Sequence, residues 1–336
     1  MDAPEKRLIP GWAWGVVAAL AVALAAALAL TDKRPEPGQS LRFDVSAYEK
    51  TAPGKIRFRE AARWPVGVPS PRALAVCRDG RVLVAGENAV QVLDGKGAET
   101  ARFAVEGAPE CLTEAPDGTI FLGMRDHVVV LDGAGVKKAA WESPGEKAWI
   151  ASIAADGENV YAADAGNRVV LRYDHAGKLL GRIGEKDETR GIPGLIVPSP
   201  HMDVQFDPSG ALWVANPGRH GLECYRPTGE LVDSWYRAGM GVAEFCGCCN
   251  PANAAFRPDG ALVTAEKGIT RVKLYGPDTE MLAVVAAPAA LGAPEDQSDA
   301  QGDKPLVADL ATDASGRILV LHRGWNAVLA YEEERP

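Results

Sequence analysis

Residues Val160 to Gly184 read VYAADAGNRVVLRYDHAGKLLGRIG. Three β-rich runs, VYAAD, RVVLRYD and KLLGRIG, are separated by short turns. Just upstream, IASIAADG adds an apolar run that closes on Asp156-Gly157. Branched and aromatic side chains suit a pleated, half-buried strand. Asp-Gly between apolar runs is a hairpin signal, because the turn needs positive φ. The stretch therefore predicts one unit of four short strands.

The unit recurs. ALAVCRDGRVLVAGENAVQVLD (73–94), CLTEAPDGTIFLGMRDHVVVLD (111–132), DVQFDPSGALWVANPGRHGLECYR (203–226), NAAFRPDGALVTAEKGITRVKLYG (253–276) and DLATDASGRILVLHRGWNAVLAYE (309–332) follow the same plan. The turn glycines are Gly80, Gly118, Gly157, Gly210, Gly260 and Gly316, spaced by 38 to 56 residues. Four short strands repeated at that period give propeller blades rather than a solenoid. Six turns predict an all-β, six-bladed β-propeller. The sixth repeat stops after three strands, and GKIRFREAARW (54–64) is an orphan strand ahead of the first. The orphan can supply the missing edge and close the ring.

The repeat resembles the NHL family of six-bladed propellers, with Val160 to Gly184 closest to its V-x-D-x-x-N-x-R-V-x-x-x-D-x-x-G pattern. The resemblance implies a propeller over residues 55–336. It implies little about function, since such propellers serve as platforms, scaffolds and enzymes.

Gly11 to Leu30, GWAWGVVAALAVALAAALAL, carries no charge. Its 20 residues match a bilayer crossing, with Trp12 and Trp14 at one interface. It is longer than a signal-peptide core, so an uncleaved signal anchor is expected over 11–30. A short tail, 1–10, precedes it, and a linker, 31–54, follows. The propeller is expected on the extracytoplasmic side, periplasmic or extracellular. A net charge of −9 argues against a nucleic-acid partner.

Glu185–Ser199, Ala238–Asn250 and Pro288–Lys304 are long blade-to-blade links, and all should lie on the face opposite the Asp-Gly turns. Counting back from each turn glycine places Asp203, Asn253 and Asp309 at equivalent inner-strand positions, with Cys111 at that position in the second blade. His201 sits beside Asp203. Glu266, Lys267, His322 and Arg323 come from turns at the same face, and Asn250 ends a long link. These residues form the expected ligand site at the channel mouth. RVK (271–273) reads as an ordinary solvent-facing alternation.

FCGCCNP puts Cys246, Cys248 and Cys249 at the end of one link. Three readings stay open. One is a disulfide, from Cys246 to Cys249 or to Cys224. Another is a vicinal Cys248–Cys249 bridge. The last is a soft metal, copper or zinc, completed by His201 or Asp203. Cys77 and Cys111 read as small packing residues.

The function expected is a protein- or ligand-binding platform. The alternatives are a metal or thiol-redox protein, acting in an envelope electron-transfer assembly, and a hydrolase. Gluconolactonase-like hydrolases have this architecture with a divalent metal on Glu, Asn and Asp. In that resemblance Asp203, Asn253 and Asp309 would be a substitute oxygen set, with Arg72 standing where an inner-strand Glu is expected.

Overall fold

The computed structural model describes residues 10–31, 48, 50–292 and 306–334. The chain forms two compact units, Met1–Asp44 and Val45–Pro336. The first contains a helix, Gly11–Thr31, with side chains described over residues 12–24. Trp12, Trp14, Val16 and Leu20 are exposed on it. Among the described residues no helix is long and apolar enough to cross a membrane. The expected span over 11–30 is therefore not established here. Residues 1–9, most of the expected linker, and 293–304 of the third long link lie outside the described residues.

The second unit is six four-stranded antiparallel sheets. The first two blades are Ala73–Val76, Val82–Gly86, Ala89–Leu93 and Glu99–Ala104, then Cys111–Glu114, Ile120–Gly123, Val128–Leu131 and Lys137–Ala140. The third is Ile150–Ala155, Asn159–Asp164, Val169–Asp174 and Leu179–Ile183. The fourth is Val204–Phe206, Leu212–Asn216, Gly221–Tyr225 and Leu231–Tyr236, and the fifth Asn253–Phe256, Leu262–Glu266, Arg271–Tyr275 and Met281–Ala286. The sixth joins Val307–Thr312, Ile318–His322 and Ala327–Glu333 to the N-terminal Phe58–Pro65. Phe58 pairs with Glu333 and Pro65 with Ala327. The orphan strand thus closes the ring: Ala327–Glu333 is paired on both sides, and Phe58–Pro65 becomes the outer strand of the blade.

The core is distributed. Six clusters of buried apolar side chains each lie between two neighbouring blades. Middle strands such as Val82–Gly86 are buried throughout, because both of their faces meet another blade. Outer strands such as Lys137–Ala140 are exposed. The outer strand of blade five is an exception: Val284 and its neighbours are buried, and Ile56 bridges to Val284. The chain entering the propeller runs across this blade.

Five turn glycines have φ between +84° and +86°. Gly157 does not, contrary to the repeat-based expectation. Its turn is one residue tighter, and the Asp156 side chain holds it by accepting the N–H groups of Glu158 and Asn159, each at 2.7 Å.

Candidate functional site

A cavity of about 590 Å³ occupies the mouth of the central channel. All six blades line it, through the starts of their inner strands and the turn carrying Arg323. His201, Asp203, Asn253, Asp309 and Arg323 are brought together there. Arg72, Glu110, Trp149 and Ser152 join them. Sequence counting does not reach Ser152 because its tighter turn puts it five residues before Gly157, where Asp203, Asn253 and Asp309 stand seven before their glycines. Glu110 directly precedes Cys111, so its signal was one position away.

The lining residues also tie the blades together. Arg72 pairs with Glu110, joining blade one to blade two. The Cys111 thiol lies 3.8 Å from the Ile150 carbonyl oxygen, from two to three. Ser152 donates to Asp203 Oδ1 at 2.5 Å, from three to four. Asp203 Oδ2 accepts the Ala254 N–H at 2.7 Å, from four to five. Asn253 Nδ2 donates to the Ala308 carbonyl at 3.3 Å, from five to six. Asp309 Oδ2 accepts the Leu74 N–H at 2.8 Å, from six back to one. The equivalence of these positions in sequence therefore reflects a ring of links.

Burial controls the charges. It pushes Asp309 up to about 8, with the Asp203 carboxylate adding to the shift. It raises Asp203 too, while Ser152 and the Ala254 N–H act against it. Arg323 is lowered by burial and then by the Arg72 guanidinium. The cavity thus holds two guanidiniums near one another, one of them paired with Glu110, and two carboxyls whose ionisation burial opposes.

Four expected site residues lie elsewhere. His322 is buried, stacks on Trp325, hydrogen-bonds the Leu291 carbonyl through Nε2 at 2.8 Å, and accepts the Trp325 N–H at Nδ1. Both ring nitrogens are engaged in packing. Glu266 is an ion-pair partner of Lys273 at 2.9 Å, and both side chains are buried. Asn250 is a clamp: its Nδ2 donates to the Cys246 carbonyl at 2.7 Å and the Lys267 carbonyl at 2.9 Å, while its Oδ1 accepts the Lys267 N–H at 2.8 Å. Lys267 contributes its backbone to that clamp.

The solvent-facing reading of RVK is overturned. Arg271 and Lys273 are 1% and 0% exposed. The Ala238–Asn250 link folds over the third strand of blade five. Lys273 Nζ donates to the Glu244 carbonyl at 2.8 Å and lies 4.2 Å from the centre of the Phe245 ring. Arg271 donates to the Tyr48 carbonyl at 2.6 Å.

The cysteine readings also change. All six cysteines are free, so none of the expected bridges is formed. Among the described residues no group of three or more His, Cys, Asp or Glu is placed to hold a metal ion. Cys246 lies near the Glu266–Lys273 pair, whereas Cys248 and Cys249 face each other with sulfurs 3.2 Å apart. Asp203, proposed as a fourth ligand, is taken up by the blade links. Asp203, Asn253 and Asp309 each take part in these links between blades.

No protein-family model matches the chain, and no curated protein matches it in sequence. Solved structures do match in fold. A streptogramin B lyase aligns at TM-score 0.53 and 12% identity, covering 84% of this chain and 100% of that one. Virginiamycin B lyase from Staphylococcus aureus aligns at 0.54 and 11%, covering 82% and 99%. A structural-genomics protein from Bacteroides thetaiotaomicron aligns at 0.57 and 14%, covering 82% and 71%. At these identities the likeness shows the six-bladed propeller fold alone.

Proposed function

We propose that the chain is an extracytoplasmic binding propeller of the NHL type, anchored by residues 11–30, whose channel mouth takes a small anionic ligand. One observation carries the ligand class. Arg323 is half-buried beside a second guanidinium, Arg72, whose own partner is Glu110, and burial pushes the Asp309 carboxyl up to about 8. An anion entering the cavity relieves the guanidinium repulsion and accepts a hydrogen bond from the protonated acid. Trp149 offers an apolar wall. The anchor rests on sequence, on 20 uncharged residues flanked by basic ones.

Thermal-shift and calorimetric titration with small carboxylates and phosphates tests the ligand class. Anions stabilise the wild type, and Arg323→Met weakens their binding by about tenfold or more, as expected for a lost charge-assisted hydrogen bond. Stabilisation by organic cations but not by anions overturns the reading. Membrane fractionation tests the anchor separately: the full chain stays with membranes after an alkaline wash, and a chain starting at residue 45 does not.

A further inference from the structure

The FCGCCNP loop is not used by the channel-mouth reading, yet it is tightly built. The Asn250 side chain, 1% exposed, grips both ends of the turn through Cys246 and Lys267. Gly247, at φ +74°, supplies the reversal that a β-carbon would strain. Cys248 is exposed and Cys249 is buried. Their sulfurs stand 3.2 Å apart, about an ångström beyond a bond. One sulfur is therefore presented to solvent, with a sheltered second sulfur next to it.

We propose that Cys248 and Cys249 form a redox-active vicinal dithiol that closes by exchange with a disulfide on a partner molecule. The Cys248 thiolate attacks the partner S–S bond, giving a mixed disulfide and releasing one partner thiolate. The Cys249 thiolate then attacks the Cys248 sulfur, forming the vicinal bond and releasing the second partner thiolate. The two protons lost by the loop end on the two partner thiols, and two electrons pass from loop to partner. So small a ring strains the bond, and strained disulfides are the readily reduced ones. The pair therefore cycles rather than locking shut.

Position separates the three thiols: Cys248 and Cys249 face each other, whereas Cys246 lies near the Glu266–Lys273 pair. Burial pushes Cys246 up and Glu266 adds to it, while Arg271 and Lys273 act against it. Burial also raises Cys249, but Ser199 and Lys267 act against it. Ser199 precedes Pro200 and His201, which line the cavity, so the pair adjoins the link that carries them.

The test equilibrates the full chain, in detergent, with glutathione buffers of graded oxidised-to-reduced ratio. Acid quenching, alkylation and trypsin follow. One peptide, Ala238–Lys267, carries all three loop cysteines. Oxidised glutathione should remove two hydrogens from it, reversibly, and fragment ions should place the bond between Cys248 and Cys249. Cys246→Ser should keep the bond, and Cys248→Ser or Cys249→Ser should lose it. Full alkylation of the wild type in oxidised glutathione overturns the proposal. So does a bond that includes Cys246, or a glutathione adduct that never resolves. The wild-type fragment ions decide the matter even if a serine variant does not fold.

Discussion

Asp309 in the sixth blade accepts the backbone N–H of Leu74 in the first at 2.8 Å, joining positions 235 residues apart in the chain. This link is part-buried at the channel mouth, where a carboxylate is less well solvated than in open water. Asp309 binds its proton up to about pH 8 in the folded protein, against an ordinary value of 3.8. The folded state therefore holds a proton that the unfolded chain releases. That contribution is fully present below about pH 4 and is lost as pH rises through 8.

Denaturant unfolding across a pH series should show this. The wild type should lose stability between pH 4 and pH 8 relative to Asp309→Asn, whose amide cannot ionise. The difference should be on the order of a few kcal/mol. Parallel pH profiles for the two proteins would falsify the assignment.

Lys273 and Glu266 form a buried pair in which desolvation opposes attraction. Burial lowers Lys273 to about 8 despite the carboxylate beside it. Lys273→Met alone should cost about 3–5 kcal/mol, because it leaves Glu266 with a weaker set of partners. Adding Glu266→Leu should recover much of the loss. A double-mutant cycle by chemical denaturation measures the coupling, and additive losses would refute it.

Asn250→Ala removes three side-chain hydrogen bonds and leaves the backbone groups of Lys267 without their partner. A loss of about 1–3 kcal/mol is expected. The loop should also loosen, so maleimide labelling of the buried Cys249 should speed up. Unchanged labelling would mean that Asn250 does not hold the loop.

Deleting residues 54–66 removes the strand that pairs with Ala327–Glu333 and the buried Trp64. The ring would then end in an exposed strand edge, and self-association is the expected result. Size-exclusion chromatography should show oligomers, and thermal melting should move down. A monomer with unchanged melting would show that the ring does not depend on this closure.

The blade count and the closing strand were legible because turn glycines and strand periodicity are local. Spacing from those glycines also identified Asp203, Asn253 and Asp309 as equivalent positions. It did not show that each reaches into the next blade, because that contact depends on the ring. The burial of Arg271 and Lys273 was hidden for a different reason. Their strand alternates as a solvent-facing one would, and only the Ala238–Asn250 link, folding back over it, shuts out water. His322 looked like a ligand until its two nitrogens were seen to meet Leu291 and Trp325. In the sequence alone Arg72 is only a departure from a hydrolase pattern. Its pairing with Glu110 and its nearness to Arg323 give it a place of its own in the cavity.

The closing pair, Phe58–Pro65 with Ala327–Glu333, also sets a timetable for synthesis. The first strand of the propeller to leave the ribosome waits for the last. Five sheets can form as the chain emerges, but the sixth cannot be completed until residue 327 and those after it are available. The propeller therefore carries an unfinished edge until Ala327–Glu333 has emerged. Loss of even the last strand leaves two strand edges open, one from each end of the propeller. Closure of the ring is thus registered in the fold as the pairing of the propeller's first strand with its last.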